Sequence, residues 1–356
     1  GFDIGKSFVR ATLLTLSGKS RKIDNFFEET LDINSDLTYQ EKVSAAIKNI
    51  LSKAGKVDKI YTSLSSSPII FNEIKLSLIG INKIKLVLPF ELEGQLPFAL
   101  DQAVLDSIVV DENIKENSST VIVAAVKKDI LDEHIAMFGA AGTLPDKVTV
   151  DLFEIYGLYK STNNLTDLDS IALLEIGIYS TNIILINSGK LKYIRSLPKG
   201  LSTISKNIAS SLNQDQSVAL ENILRFGLEG SDNKQFDDLL KEKFSELLNE
   251  VSFTLDNYAT KNKISNVGKI IVFGQSQEIK GLQDLVSQTI VPAQLLDLKS
   301  IFNKSVPGQY EVSLATAFSS SVTENFNLLK ESSASEANSL INKQLIVTLV
   351  LILLIL

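Results

Sequence analysis

Cysteine and tryptophan are absent from the 356 residues, and histidine and methionine occur once each. Without cysteine there is no disulfide, no thiolate nucleophile and no thiolate-ligated zinc, a usage that fits a reducing compartment. The single histidine, His134, leaves Ser-His-Asp catalysis and histidine-rich metal centres almost nothing to work with. It falls in a helical stretch, Asp129 to Phe138, and reads as an ordinary helix residue. A basic excess is missing too: the net charge is −7, so nucleic acid is not an expected partner. The lysines at 56–59 and 83–85 read as solvated faces. The chain opens on Gly rather than Met, with no charged stretch leading an apolar one, so its natural start is expected to have been trimmed.

What is present, above all, is a repeat. Ile171 to Arg195 reads as an apolar strand (Ile171 to Ile176), a polar turn (Gly177 to Thr181), a second strand (Asn182 to Asn187), a Ser188-Gly189 turn and a third strand through Tyr193. The first residues say the same: Asp3-Ile4-Gly5 stands where the later copy has Glu175-Ile176-Gly177, and both second strands end at Ser-Gly-Lys, Ser17 to Lys19 and Ser188 to Lys190. A duplication this far apart is not a solenoid, whose periods run roughly 20–50 residues. It points to two related α/β lobes, each opening with a β-meander, facing each other across a cleft. An acid at a strand end, followed by glycine and small hydroxyl residues, lets backbone N–H groups converge on a phosphate while the carboxylate holds hydrated Mg²⁺. The alternative is that Gly5 and Gly177 are hairpin glycines required for positive φ.

In chain order, Tyr39 to Ala54 carries the stripe Val43, Ala46, Ile47, Ile50 and Leu51 and stops at Gly55, an amphipathic helix; Val57 to Leu64 follows as a strand. From Leu86 to Val150 the pattern becomes a small α+β insert. Pro89 and Pro97 break it around a helix from Glu91 to Leu96, Val104 to Val110 and Thr120 to Val126 are extended, Lys128 to Ala141 is a helix, and Lys147 to Val150 is a strand. Asp151 to Ser161 is an apolar helix that returns to the first lobe. The second lobe continues with helices at Leu197 to Leu212, Ser217 to Phe226 and Asn233 to Lys261, the last with a core-facing stripe from Leu239 to Tyr258. Strand Lys269 to Phe273 then opens through Gly274-Gln275-Ser276 into a helix, Ile279 to Thr289, a generic anion site.

These segments, in this order, resemble the actin-like PilM/GspL group, the cytoplasmic components of type IV pilus and type II secretion assembly platforms. The insert is the most specific part: Pro89-Phe90-Glu91-Leu92-Glu93 with Gln95-Leu96-Pro97-Phe98 is similar to that group's small subdomain. The resemblance implies an α/β, ribonuclease H-like duplicated fold: lobe 1 over residues 1–85 and 151–166, the insert over 86–150, lobe 2 over 167–312, and a returning helix over 313–330. It also implies ATP with Mg²⁺ between the lobes. Asp3, Gly5, Lys6 and Ser7 would form the first phosphate loop, with Asp3 at the metal, Gly177, Ser180 and Thr181 the second, and Gly274 and Ser276 the nucleoside loop. Three positions depart from the group's pattern: Glu175 for the usual Asp, the bulky Tyr179 in the second turn, and Gln275 for a second glycine.

After a polar stretch at 331–344, Leu345 to Leu356 is apolar on every side. It is shorter than the roughly 20 residues that span a bilayer, and it reads as a truncated transmembrane helix. With Lys343 before it, the lobes are expected in the cytoplasm of a single-pass inner-membrane protein. Asn325 to Leu329 resembles the segment before the membrane helix in GspL or in the PilN partner, which favours a GspL-like chain or a PilM–PilN fusion. The function so implied is a non-enzymatic scaffold. It would recruit the assembly ATPase, sit with PilN/PilO-like or GspM/GspF-like platform proteins, and homo-oligomerise. The alternatives are an actin-like-fold phosphotransferase and an ATP-binding division-type actin homologue; the latter would end in an amphipathic helix.

Overall fold

Alternating apolar and polar residues either side of Gly5 build strands β1 (Phe2–Ile4), β2 (Phe8–Ser17) and β3 (Ser20–Thr30), an antiparallel meander. The computed structural model describes residues 1–17, 20–32 and 35–330. Helix α1 (Tyr39–Ala54) begins at a capping box, in which the Glu41 amide donates to the Thr38 hydroxyl and the Thr38 amide to the Glu41 carboxylate. It ends at Gly55, whose φ of 74° suits glycine. The expected stripe of Val43, Ala46, Ile47 and Ile50 packs on Phe2 and Val9. Strand β4 (Tyr61–Leu64) then pairs in parallel with β1.

The insert differs from expectation at both ends. Strand β5 (Ile70–Leu76) precedes it, helix α2 (Ile81–Glu91) replaces the expected strand and break, and β6 (Ala103–Asn113) and β7 (Ser118–Lys127) complete a sheet ordered β5-β7-β6. Pro89 lies inside α2 because Ile84, Leu88 and Leu92 bury one face at helical spacing, and a proline in the last turn removes a single N–H. Helix α3 (Lys128–Ala140) and strand β8 (Lys147–Val150) belong with the first lobe. The Phe138 ring meets Phe2 edge-on at 5.5 Å, and β8 pairs in parallel with β4, giving the order β3-β2-β1-β4-β8.

Lobe 2 repeats that order as β11-β10-β9-β12-β13, from β9 (Ser170–Ile176), β10 (Thr181–Asn187), β11 (Lys190–Leu197), β12 (Lys269–Val272) and β13 (Ala293–Leu295). The duplication read from two turns therefore extends to the whole sheet. Between the lobes lies α4 (Asp151–Thr162), buried on every side through Tyr159. Lobe 2 adds α5 (Leu201–Leu212), α6 (Gln216–Phe226), α7 (Lys234–Asn262), α8 (Leu282–Thr289) and the single turn α9 (Lys299–Phe302). The helix expected from Leu197 starts only at Leu201, because Leu197 is the last residue of β11, paired with Thr181, and precedes Pro198. Gly200 then lies against the carbonyls of Gly177 and Ile178, where a side chain would collide. Helix α10 (Glu311–Phe318) returns to lobe 1, where Thr12 and Ser313 share a hydroxyl hydrogen bond of 2.7 Å. The linker expected at 331–344 and the span at 345–356 lie outside the described residues; among those described, no helix is long and apolar enough to cross a membrane.

Candidate functional site

The two repeated turns face one cavity of about 650 Å³ between the lobes, lined among others by Asp3, Gly5, Lys6, Gly177, Tyr179 and Ser180. In the first turn the Gly5 amide donates to the Phe8 carbonyl at 3.0 Å, and the Tyr39 hydroxyl donates to the Gly5 carbonyl at 3.1 Å. In the second, the Gly177 amide donates to the Ser180 carbonyl at 2.8 Å. Neither glycine has a positive φ, so the hairpin-glycine reading fails. Space is the reason for glycine: a Cβ on Gly5 would enter the Phe8 ring, and one on Gly177 would lie 3.2 Å from the Ser180 carbonyl oxygen. The amides of Lys6, Tyr179 and Ser180 donate to no group among the described residues. Across the mouth, Lys6 Nζ sits 4.6 Å from the centre of the Tyr179 ring.

Four residues expected at the ligand do not line the cavity. Ser7 uses its carbonyl to accept from the Leu31 amide. Thr181 is buried and donates to the Lys199 carbonyl at 2.7 Å. Ser276 is buried as well; its hydroxyl accepts from the Ile176 amide at 3.1 Å and donates to the Phe273 carbonyl at 2.6 Å. Gly274 has a φ of 67°, and its amide donates to Glu311 at 2.6 Å. These groups shape the loops. Only Gln275 of the third loop reaches the lining.

The cleft is acidic. Asp3, Asp151 and Glu175 line it together, and burial, reinforced for Asp3 and Glu175 by the neighbouring carboxylates, pushes their carboxyls up to about 7, 6 and 7. Asp151 accepts from the Ser66 amide and hydroxyl and from the Leu152 amide, while Glu175 accepts from Asn182 at 2.8 Å. Arg10, on the same wall, pairs with Glu28 at 2.6 Å and stacks 3.7 Å above the Phe8 ring. Sequence reading missed Asp151 and Glu311, which reach the site from distant elements, and Arg10, which stands on β2 opposite Asp3 but belongs to no recognisable motif. Among the described residues no three acids or histidines stand close enough together to hold a metal directly. The free amides and acids therefore fit a phosphate with a hydrated cation, not a cation caged by protein.

A family model described as type IV pilus assembly protein PilM matches residues 1–328. The chain belongs to the PilM family. Its structure is similar to the PilM-PilN type IV pilus biogenesis complex, with a TM-score of 0.73 and 20% identity over 89% of this chain and 97% of that one. The ethanolamine utilization protein EutJ from Carboxydothermus hydrogenoformans follows at a TM-score of 0.50 and 9% identity, over 89% and 87% of the two chains. The cytoplasmic domain of EpsL, an inner membrane component of the Vibrio cholerae type II secretion system, gives 0.43 and 10%, over 91% and 93%. No curated protein sequence matches. This PilM-family chain has the actin-like fold, in two lobes with a three-stranded insert.

Beyond α10, the PilM-family chain ends its described part in a strap, residues 320–330, clipped into the seam between lobe 1 and the insert. Phe326 and Leu328 are buried, and the Phe326 ring meets Phe153 edge-on at 5.0 Å. The Asn327 amide donates to Asp106 of β6 at 2.7 Å, and its side-chain oxygen accepts from the Val148 amide of β8 at 3.1 Å. Below it, buried Lys147 pairs with Glu154 at 3.1 Å and donates to the Thr323 carbonyl at 2.9 Å. Asn325 to Leu329, the run that resembles a GspL or PilN segment, is thus docked on the body of the same chain.

Proposed function

We propose that this chain is a non-enzymatic scaffold of a type IV pilus or type II secretion platform, whose actin-like body recruits the assembly ATPase and ties it to inner-membrane partners of the PilN kind. The observation that carries the reading is the family assignment, which spans both lobes, the insert and the strap. The docked Asn325 to Leu329 run supports the finer version: a PilM-type body continuous with a PilN-type segment, held at the inner membrane by the apolar residues at 345–356. A chain ending at Glu331 is expected to be soluble and folded and to co-purify with the cognate ATPase. Loss of binding with a normal melting curve would move the interface to the tail, and failure of the full chain to fractionate with the inner membrane would reject the anchor.

The interlobe cleft is proposed to take Mg-ATP. Lys6 and the amides of Tyr179 and Ser180 would meet the phosphates, and Asp3 would hold the hydrated cation, which neutralises phosphate charge beside three carboxyl groups. Binding at a hundredfold excess over Kd stabilises the fold by roughly 2.7 kcal/mol. A thermal shift with Mg-ATP that is lost in Asp3→Ala is the expected result; no shift, or an equal one in the variant, rejects the site. One observation favours a second reading, phosphotransfer: Asp151 and Glu175 have carboxyls held near 6 and 7, the range of a general base. Transfer of phosphate to a small hydroxylated substrate would replace the scaffold reading with that one.

A further inference from the structure

A second cavity, of about 690 Å³, opens on the other side of the insert, where it meets lobe 2. Three elements build most of it: β5, β11 and the C-terminal half of α7. Both strands are sheet edges, since β5 pairs only with β7 and β11 only with β10. Two strands with an open edge therefore border one groove, and an open edge is a template for an added strand. The floor is aromatic. Tyr193 stacks on Tyr258 at 4.5 Å, and the Tyr258 hydroxyl joins the two sides by donating to Glu73 of β5 while in contact with the Lys192 carbonyl of β11, each at 2.6 Å. Phe253 of α7 stands over the groove at 68% exposure.

Charge selects the occupant. Lys192, Arg195 and Lys261 line the groove with no acidic partner among the described residues. Both acids of the lining are engaged: Glu73 accepts from Tyr258, and Glu250 pairs with Lys199 at 2.6 Å. A groove with three uncommitted cations on a chain of net charge −7 stands out against its own surface. We propose that this groove docks an extended, acidic segment of a partner protein, which adds to a strand edge, pairs its carboxylates with Lys192, Arg195 and Lys261, and lays an apolar side chain against Phe253. The proposal goes beyond the scaffold reading and needs neither nucleotide nor the strap. Because the walls come from the insert and lobe 2, an occupant would also fix the angle between them.

The test is selection of a displayed random-peptide library on the full chain, followed by binding titrations of the winning peptides. The expected winners alternate acidic and apolar residues. Their affinity falls about tenfold or more in the Lys192→Glu/Arg195→Glu double variant, in the manner of charge pairs at an interface. It falls also in Phe253→Ser, and it weakens with added salt. All three side chains reach solvent, so circular dichroism and melting should match the parent and exclude unfolding as the cause. Winners without an acidic excess, no winners, or winners that bind the double variant equally would overturn the proposal. So would concentration-dependent self-association that the double variant abolishes, because the occupant would then be a second copy.

Discussion

Asp3 and Glu175 hold the same place in the two copies of the meander, yet they do different work. Asp3 faces Arg10 across the strand pair, and Glu175 faces Asn182. Lobe 1 thus sets its acid opposite a cation that Glu28 already holds, while lobe 2 sets its acid opposite a neutral amide. The extra methylene matters as well. Glu175 reaches across to accept from the Gln275 amide, and it fills the space where a Cβ on Gly274 would stand. The departure from Asp therefore ties the second turn to the third loop, a link the shorter Asp3 has no counterpart for. Duplicated sheets keep strand order and both acids line the cleft, but the single-residue change at equivalent turns gives Glu175 a second task, packing against Gly274, that Asp3 lacks.

The largest expected effect lies where the lobes differ most, at their last strands: β8 is sealed by the strap over a buried ion pair, whereas β13 is a three-residue edge. Lys147→Ala would leave Glu154 as an unpaired buried carboxylate and should cost about 3–5 kcal/mol in chemical denaturation. A cost below about 1 kcal/mol would mean that the seam does not depend on the pair. Next, Gly274→Ala should cost about 2–3 kcal/mol, from positive φ and the clash with Glu175. Shortening the acid in a Glu175→Asp background should return about 1 kcal/mol of it, and strict additivity in that double-mutant cycle would refute the Glu175–Gly274 link.

A smaller effect follows from the Asp3 carboxyl, raised from 3.8 to about 7. Between those values the native state keeps a proton that the unfolded chain has lost, so stability falls as pH rises through the window and levels off above it. Asp3→Asn should match the parent near pH 4 and gain about 1–2 kcal/mol by pH 8, read from melting curves. An advantage equal at both pH values would contradict the shift. The smallest effect belongs to the Lys6–Tyr179 contact. Lys6→Met should leave the melting temperature within about a degree, since an exposed cation–π pair contributes about 0.5–1 kcal/mol at most, yet weaken Mg-ATP binding. Unchanged nucleotide affinity would remove Lys6 from the cleft's function.

Local signals in the chain read well. The helix Tyr39–Ala54 was legible from its stripe and its terminal glycine, and the second meander from its turns. His134 sits where a plain helix residue should, buried against Thr62 at 2.9 Å with its imidazole pushed down to about 4. Illegible were the features set by distant partners. Strand β8 looks like the end of the insert in sequence, but pairing with β4 claims it for lobe 1. Strand β5 went unread because its residues, from Ile70 to Leu76, mix charge and apolarity without clean alternation. Proline at 89 masked a helix that packing restores. At the cleft, Asp3, Gly5 and Gly177 were within reach of reading because the repeat marks them, and Lys6 and Ser180 through the family resemblance, whereas Asp151 and Arg10 carry no local signature.

The strap also sets an order of events during synthesis. Asn327 and its partner Asp106 are separated by 221 positions, and Thr323 and Glu154 by 169. Both lobe sheets can be completed by residues that leave the ribosome earlier, but the seam between lobe 1 and the insert waits for the chain beyond α10. Until then Glu154, Asp106 and the Val148 amide lack partners that the strap supplies, and the edge of β8 stays open. A nascent chain stalled before residue 320 would therefore hold two formed lobes and an unlatched insert, the arrangement most exposed to mispairing and to capture by a chaperone.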